Sequence, residues 1–159
     1  MKQQDNITPG KKAQRTAKWA RTMTKWLVTY SRQTGAKWNL VDFGGKTKSE
    51  ARGIVDLVAM RKDHRRDRAG MKRGDLFEIV LIQTKGGTAP RPTSEDILRL
   101  SKVKKFHNAK AVVLAEWHKG QKYGQKSKKP KRKGQKPDLF VLCGKHWTCK
   151  PVDPGKIFA

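Results

Sequence analysis

With 159 residues the chain can bury one core but not two of ordinary size, and 35% hydrophobic residues give it the means to fold. Lys and Arg number 38 against 13 Asp and Glu, and a net charge of +25 makes the folded chain repel itself and favours a polyanion with counterions to release, for which nucleic acid, DNA or RNA, is the obvious candidate. A membrane is excluded on the same grounds, because no apolar run spans a bilayer and no basic stretch has the broad apolar face of an interfacial anchor.

Residues 1–13 read as a flexible basic arm broken by Thr8-Pro9-Gly10, and residues 14–159 as a single domain. Met1 to Asp5 carries no secretory core and there are only two cysteines, so the expected location is intracellular, cytoplasmic or nucleoid-associated. From Gln14 to Arg32 the residues Trp19, Met23, Trp26, Leu27 and Tyr30 recur at spacings of three and four, which predicts an amphipathic helix with Trp19, Trp26 and Tyr30 in the core. Gly35 stops it. Lys37 to Asp42 reads as a short strand, followed by a glycine-bearing basic loop from Phe43 to Ser49.

Gly53 to Met60 is the second expected strand. The polar stretch from Arg61 to Asp75 is either a long hairpin loop or a short helix. Leu76 to Lys85 is apolar at nearly every position, as in a central strand covered on both faces. After Gly86-Gly87 and Pro90-Arg91-Pro92, Thr93 and Asp96 form a capping-box pattern, and Ile97, Leu100, Val103 and Phe106 supply a helical stripe that reaches His107. Ala111 to Trp117 is the fourth strand. Residues 119–136 are Lys, Arg, Gln and Gly with the single aromatic Tyr123, a basic insertion that cannot build a core. Asp138 to Cys143 and His146 to Val152, joined at Gly144-Lys145, read as a closing β-hairpin. Cys143, His146 and Cys149 lack a fourth partner and read as hairpin residues rather than zinc ligands. His107 and His118 read as surface residues.

Two of the expected strands carry polar residues where burial makes them costly. Asp56 interrupts the second, and Gln83 and Lys85, two apart and therefore on one face, end the third. Helix, strand, strand, strand, helix, strand, with the intruders on the second and third strands, resembles the PD-(D/E)XK nuclease superfamily. That family includes restriction endonucleases, Holliday-junction resolvases and transposon-end endonucleases.

The resemblance implies an α/β fold with a restriction-endonuclease-like αβββαβ core, a central mixed sheet flanked by helices, to which the C-terminal β-hairpin is added. It matches Asp56 to the family's metal-binding aspartate, Gln83-Thr84-Lys85 to its acid, x, lysine tripeptide, and Glu50 to an upstream glutamate found in some branches. Val55 stands where the family often has proline. Gln83 replaces the usual acid, as in Mrr-like enzymes and some transposon endonuclease subunits.

By that resemblance Glu50, Asp56, Gln83 and Lys85 form a catalytic set for metal-dependent hydrolysis of DNA. The metal, Mg²⁺ or Mn²⁺, would be held by Asp56 together with the Gln83 side-chain oxygen or the Thr84 carbonyl. Glu50 would act through water or at a second ion, and Lys85 would orient the attacking water. One missing negative charge implies weaker metal binding with a leaning to Mn²⁺. Asp42 is a reserve acid.

Phosphate contacts are expected from Lys46, Lys48 and Arg52 in the basic loop, and from Arg99, Lys102 and Lys105 on the second helix. The insertion would add Lys122, Lys126, Lys128, Lys129, Lys131, Arg132, Lys133 and Lys136. Substrates could be structure-specific, such as junctions or DNA ends, and cutting both strands implies a homodimer. The other class of function open to this sequence is a non-catalytic, basic nucleic-acid-binding protein with a degenerate nuclease fold.

Overall fold

The structure, a computed structural model, describes residues 8–33, 35–44, 53–64, 70–117 and 136–159. Among these the chain runs α1 (Pro9–Tyr30), β1 (Asn39–Asp42), β2 (Leu57–Lys62), β3 (Phe77–Gly86), α2 (Ser94–Phe106), β4 (Ala111–Trp117), β5 (Asp138–Cys143), β6 (His146–Trp147) and α3 (Pro154–Phe158). The expected order of helix, three strands, helix and strand is therefore present.

The strands lie in the order β1-β2-β3-β4-β5-β6, and β3 and β4 pair in parallel while the other neighbours pair antiparallel. The result is a mixed α/β sheet. A parallel pair needs a crossover connection, and α2 is that crossover.

The apolar run of β3 is covered on both faces, as its composition requires. On one side Val80 and Ile82 meet Leu27 and Val28 of α1 and Ile157 and Phe158 of α3. On the other, Leu81 meets Leu100 of α2. Alternation along the strand carries Gln83 and Lys85 to the α2 side and Thr84 and Gly86 to the α1 side. Gly86 is where α1 crosses: a Cβ there would stand 3.1 Å from Thr16 Cγ2 and 3.3 Å from the Thr16 carbonyl oxygen.

Several boundaries and assignments differ from the expectation. Helix α1 starts at Pro9, not Gln14, because proline suits the first helical turn, where its missing N–H is no loss; residues 9–13 of the expected arm are helical. Trp19, Trp26 and Tyr30 are 51%, 50% and 70% exposed; the buried stripe of α1 is instead Ala20, Thr24, Leu27 and Val28. Small side chains there let the helix lie close to the sheet.

In α2 the Thr93–Asp96 capping box forms as expected, but Phe106 is exposed. Strand β2 begins after Asp56 rather than at Gly53. β2 and β3 pair antiparallel, and the described ends of the stretch between them are tied by Asp63 N–H donating to Leu76 O and Gly74 N–H donating to Asp63 O; residues 65–69 lie outside the described residues. β6 is two residues long, and the chain then turns into α3, capped by the Asp153 side chain accepting from Gly155 N–H. Among the described residues no helix is long and apolar enough to cross a membrane.

Candidate metal and nucleic-acid site

The carboxyl end of β3 and the residue that precedes β2 come together at one point. Asp56 N–H donates to Ile82 O at 3.0 Å and Phe43 N–H donates to Asp56 O at 2.9 Å, so the backbone of Asp56 joins β1 and β3 just before the β2 ladder starts. Its carboxylate turns to Thr84: Oδ2 accepts from Thr84 N–H at 2.6 Å and from Thr84 Oγ1 at 3.1 Å. Burial nevertheless pushes the Asp56 carboxyl above its ordinary value of 3.8, outweighing the Thr84 hydrogen bonds and the positive charges of Lys85 and Arg21. The hydrogen bonds and charges around this carboxylate only partly offset its desolvation.

Gln83 is 8% exposed, and its Oε1 is fully buried without a hydrogen-bond partner among the described residues. A buried carbonyl-type oxygen left unmatched is destabilising by about 1–3 kcal/mol, which a donor or a cation at that point would remove. No hydrogen bond joins Gln83 to Asp56 among the described residues; Asp56 is brought onto Thr84, the residue between Gln83 and Lys85. The available donors are a carboxylate, an amide oxygen and backbone carbonyls, all hard oxygens of the kind Mg²⁺ and Mn²⁺ prefer. Glu50 lies outside the described residues, and no group of three His, Cys, Asp or Glu gathers around one point among those described.

Lys85 stands opposite Glu116 in the β3–β4 register. Glu116 is itself held by a two-pronged contact from Arg91, at 2.6 and 2.9 Å, and the Arg91 guanidinium lies 4.6 Å over the Phe140 ring. The Lys85 charge is also felt by Asp96, whose carboxyl the Thr93 backbone and side-chain hydrogen bonds hold below its ordinary value. Arg21 reaches in from α1 and occupies the space that a Gly44 side chain would need.

Asp42, the reserve acid, is committed elsewhere. Lys25 Nζ lies 2.7 Å from its Oδ2 and Arg21 Nε 3.5 Å from its Oδ1. Arg21 and Glu116 are absent from the sequence-based site, because neither a helix cation nor an acid near a strand end is distinctive in sequence; Asp96 is expected there only as a helix cap.

Of the expected phosphate-binding residues, Arg99, Lys102 and Lys105 recur every third position on an exposed face of α2, and Arg99 lies 3.9 Å from Asp96. Lys136 is exposed before β5. Lys46, Lys48, Arg52, Lys122, Lys126, Lys128, Lys129, Lys131, Arg132 and Lys133 lie outside the described residues. Cys143 and Cys149 are exposed and unpaired as thiols. No family model matches the chain, and neither a curated protein nor a solved structure matches it.

Proposed function

We propose that the chain is a divalent-metal-dependent endonuclease that hydrolyses DNA phosphodiester bonds, structure-specific for junctions or ends, on a sheet of the restriction-endonuclease type. One observation carries this reading. At a single end of β2 and β3 lie a carboxylate that burial drives toward protonation, a buried amide oxygen without a donor, and a lysine on the same strand face as that amide.

A divalent ion bound there supplies a water of lowered pKa and neutralises charge on phosphate oxygens. Asp56 would hold it together with the Gln83 oxygen or the Thr84 carbonyl. Thr84, by donating twice to one carboxylate oxygen, fixes the angle at which Asp56 presents its group. Lys85 sets a positive charge beside the reacting phosphate, where it orients the attacking water and stabilises the charge that develops in the transition state. Arg99, Lys102, Lys105 and Lys136 would seat the backbone of the duplex without reading its sequence.

The test incubates the protein with plasmid, branched and single-stranded DNA in Mg²⁺ or Mn²⁺, beside Asp56→Asn and Lys85→Ala. Cleavage that both substitutions reduce to background is the expected result. A wild-type protein that binds and cuts nothing, or variants that cut as well as it does, would return the chain to the class of non-catalytic nucleic-acid-binding proteins.

A further inference from the structure

Helix α1 has two stripes, and only one of them is buried. Ala20, Thr24, Leu27 and Val28 enter the core. Trp19, Met23, Trp26 and Tyr30, at i, i+4, i+7 and i+11, form a second stripe along its flank; the three aromatics are half or more exposed, and the Trp26 and Tyr30 rings lie 4.7 Å apart at 49°. Residues 9–30 contain six cations, Lys11, Lys12, Arg15, Lys18, Arg21 and Lys25, and no acid. Arg21 and Lys25 pair with Asp42, while Lys11, Lys12, Arg15 and Lys18 are exposed and form no ion pair among the described residues.

We infer that this stripe is a stacking platform for unpaired nucleotides, a use that rests on the nucleic-acid reading above and extends it to the substrate class. Flat rings between uncompensated cations suit a single strand: the rings take the exposed faces of bases, and the cations take the phosphates between them. A second copy of the chain fits badly, since it would set another acid-free helix, carried on a +25 chain, against this one. A membrane surface fits badly too. The stripe covers roughly 60° of the helix at 100° per residue, well short of the apolar arc an interfacial helix presents, and the helix's other apolar stripe is in the core.

Placement favours the same occupant. Arg21 and Lys25 lie about 150° around α1 from the aromatic stripe, so the two flanks are separated by about one helix diameter, 10–12 Å. Arg21 lies against Gly44, next to Phe43, whose N–H donates to Asp56 O, and Thr16 and Ala20 lie against Gly86, the residue after Lys85. A strand stacked on Trp19 and Trp26 would therefore run past the site end of β3, and the preferred substrate would have an unpaired segment beside a duplex.

The test uses the full chain in EDTA, so that nothing is cut, with Asp56→Asn run in parallel. Affinity for a fluorescent oligo-dT, for a duplex and for a forked duplex is measured by anisotropy, and quenching of tryptophan emission is followed on the same samples. Trp26→Ala and Trp19→Ala are expected to weaken oligo-dT and fork binding about ten-fold each, with duplex affinity within about two-fold, and Trp26→Phe to retain most of it. Thermal melts of these surface variants should match the wild type.

Equal losses on duplex and single strand, no loss at all, or no quenching would overturn the inference. So would a dimer that Trp26→Ala dissociates in sedimentation, or Trp26-dependent capture by anionic phosphatidylserine vesicles without oligo-dT binding. Stacking that survives in EDTA and in Asp56→Asn stands even for a protein that cuts nothing, so failure of the nuclease reading is seen separately.

Discussion

Strands β2 and β3 carry buried polar groups at both ends, and the two ends are resolved in opposite ways. At one end Arg61 Nε lies 2.6 Å from Glu78 Oε2, its Nη2 donates to Ala159 O at 2.6 Å, and its guanidinium sits 4.4 Å over the Trp38 ring; Lys110 adds a contact to Glu78 at 3.5 Å. Every charge there faces a partner. At the other end Asp56 is desolvated against its own ionisation and the Gln83 oxygen has no donor among the described residues. The same two strands thus build a closed polar cluster that holds the fold and an open one whose polar groups are less fully matched. What separates a structural buried charge from a binding one is the state of its neighbours, not the residue type.

The largest effect should come from opening the closed cluster. Glu78→Leu leaves Arg61 buried with much of its compensation gone, and a loss of about 3–5 kcal/mol is expected in urea denaturation, with metal affinity at the far end unchanged in the folded protein. At the open end the signs reverse. Asp56→Asn should abolish Mn²⁺ binding in calorimetric titration without lowering the melting temperature, because it removes a charge that burial opposes.

Gln83→Met should raise stability by about 1 kcal/mol, since it removes an unmatched oxygen at similar volume, while weakening the metal. Gln83→Glu should tighten metal binding and move the preference from Mn²⁺ toward Mg²⁺, by restoring the missing charge. A Gln83→Met protein that is less stable than wild type would show that the amide is satisfied after all.

Smaller effects belong to the cap of α2, the helix that packs on Leu81 of β3. Thr93→Ala should cost about 1 kcal/mol of stability in thermal or denaturant unfolding. Asp96, the other half of the capping box, has its carboxyl held below the ordinary 3.8, so its contribution is present above that value and fades as pH falls through the lower folded value. Asp96→Asn should therefore differ from wild type at neutral pH and converge with it in strong acid, as followed by melting temperature against pH.

The sheet was legible because β3 is apolar on consecutive residues, a pattern that allows a central strand and little else, and α2 because its cap is written in Thr93 and Asp96. Gln83 and Lys85 accordingly lie near the end of β3, while Asp56, expected within the second strand, sits just before β2. The partner of Asp56 was not legible: the resemblance turns the Thr84 carbonyl toward a metal, whereas its N–H and hydroxyl donate to Asp56, and a backbone N–H has no signature in sequence. Periodicity failed on α1 for a definite reason. It reports that a stripe exists but not whether the sheet covers it, and the large aromatics drew attention away from Ala20 and Thr24, whose small size is what allows contact. The start of β2 was misplaced because Ile54 and Val55 are apolar enough for a strand, yet they pack beside the α2 core without joining the ladder. Asp153-Pro154-Gly155 signals α3 through its cap, a signal masked by the hairpin expected there.

Gly86 has a role that its lack of a side chain conceals. It fixes the gap between the end of β3, next to Lys85, and the helix that carries Trp19 and Trp26, where an added Cβ would require its neighbour to give by a few tenths of an ångström. The gap acts as a ruler: a base resting on the helix and a phosphate beside the lysine would be held at a spacing set by two hydrogens at Gly86. Gly86→Ala would lengthen that ruler while leaving every proposed contact residue in place, so its effect on where a forked substrate is cut would measure distance rather than chemistry.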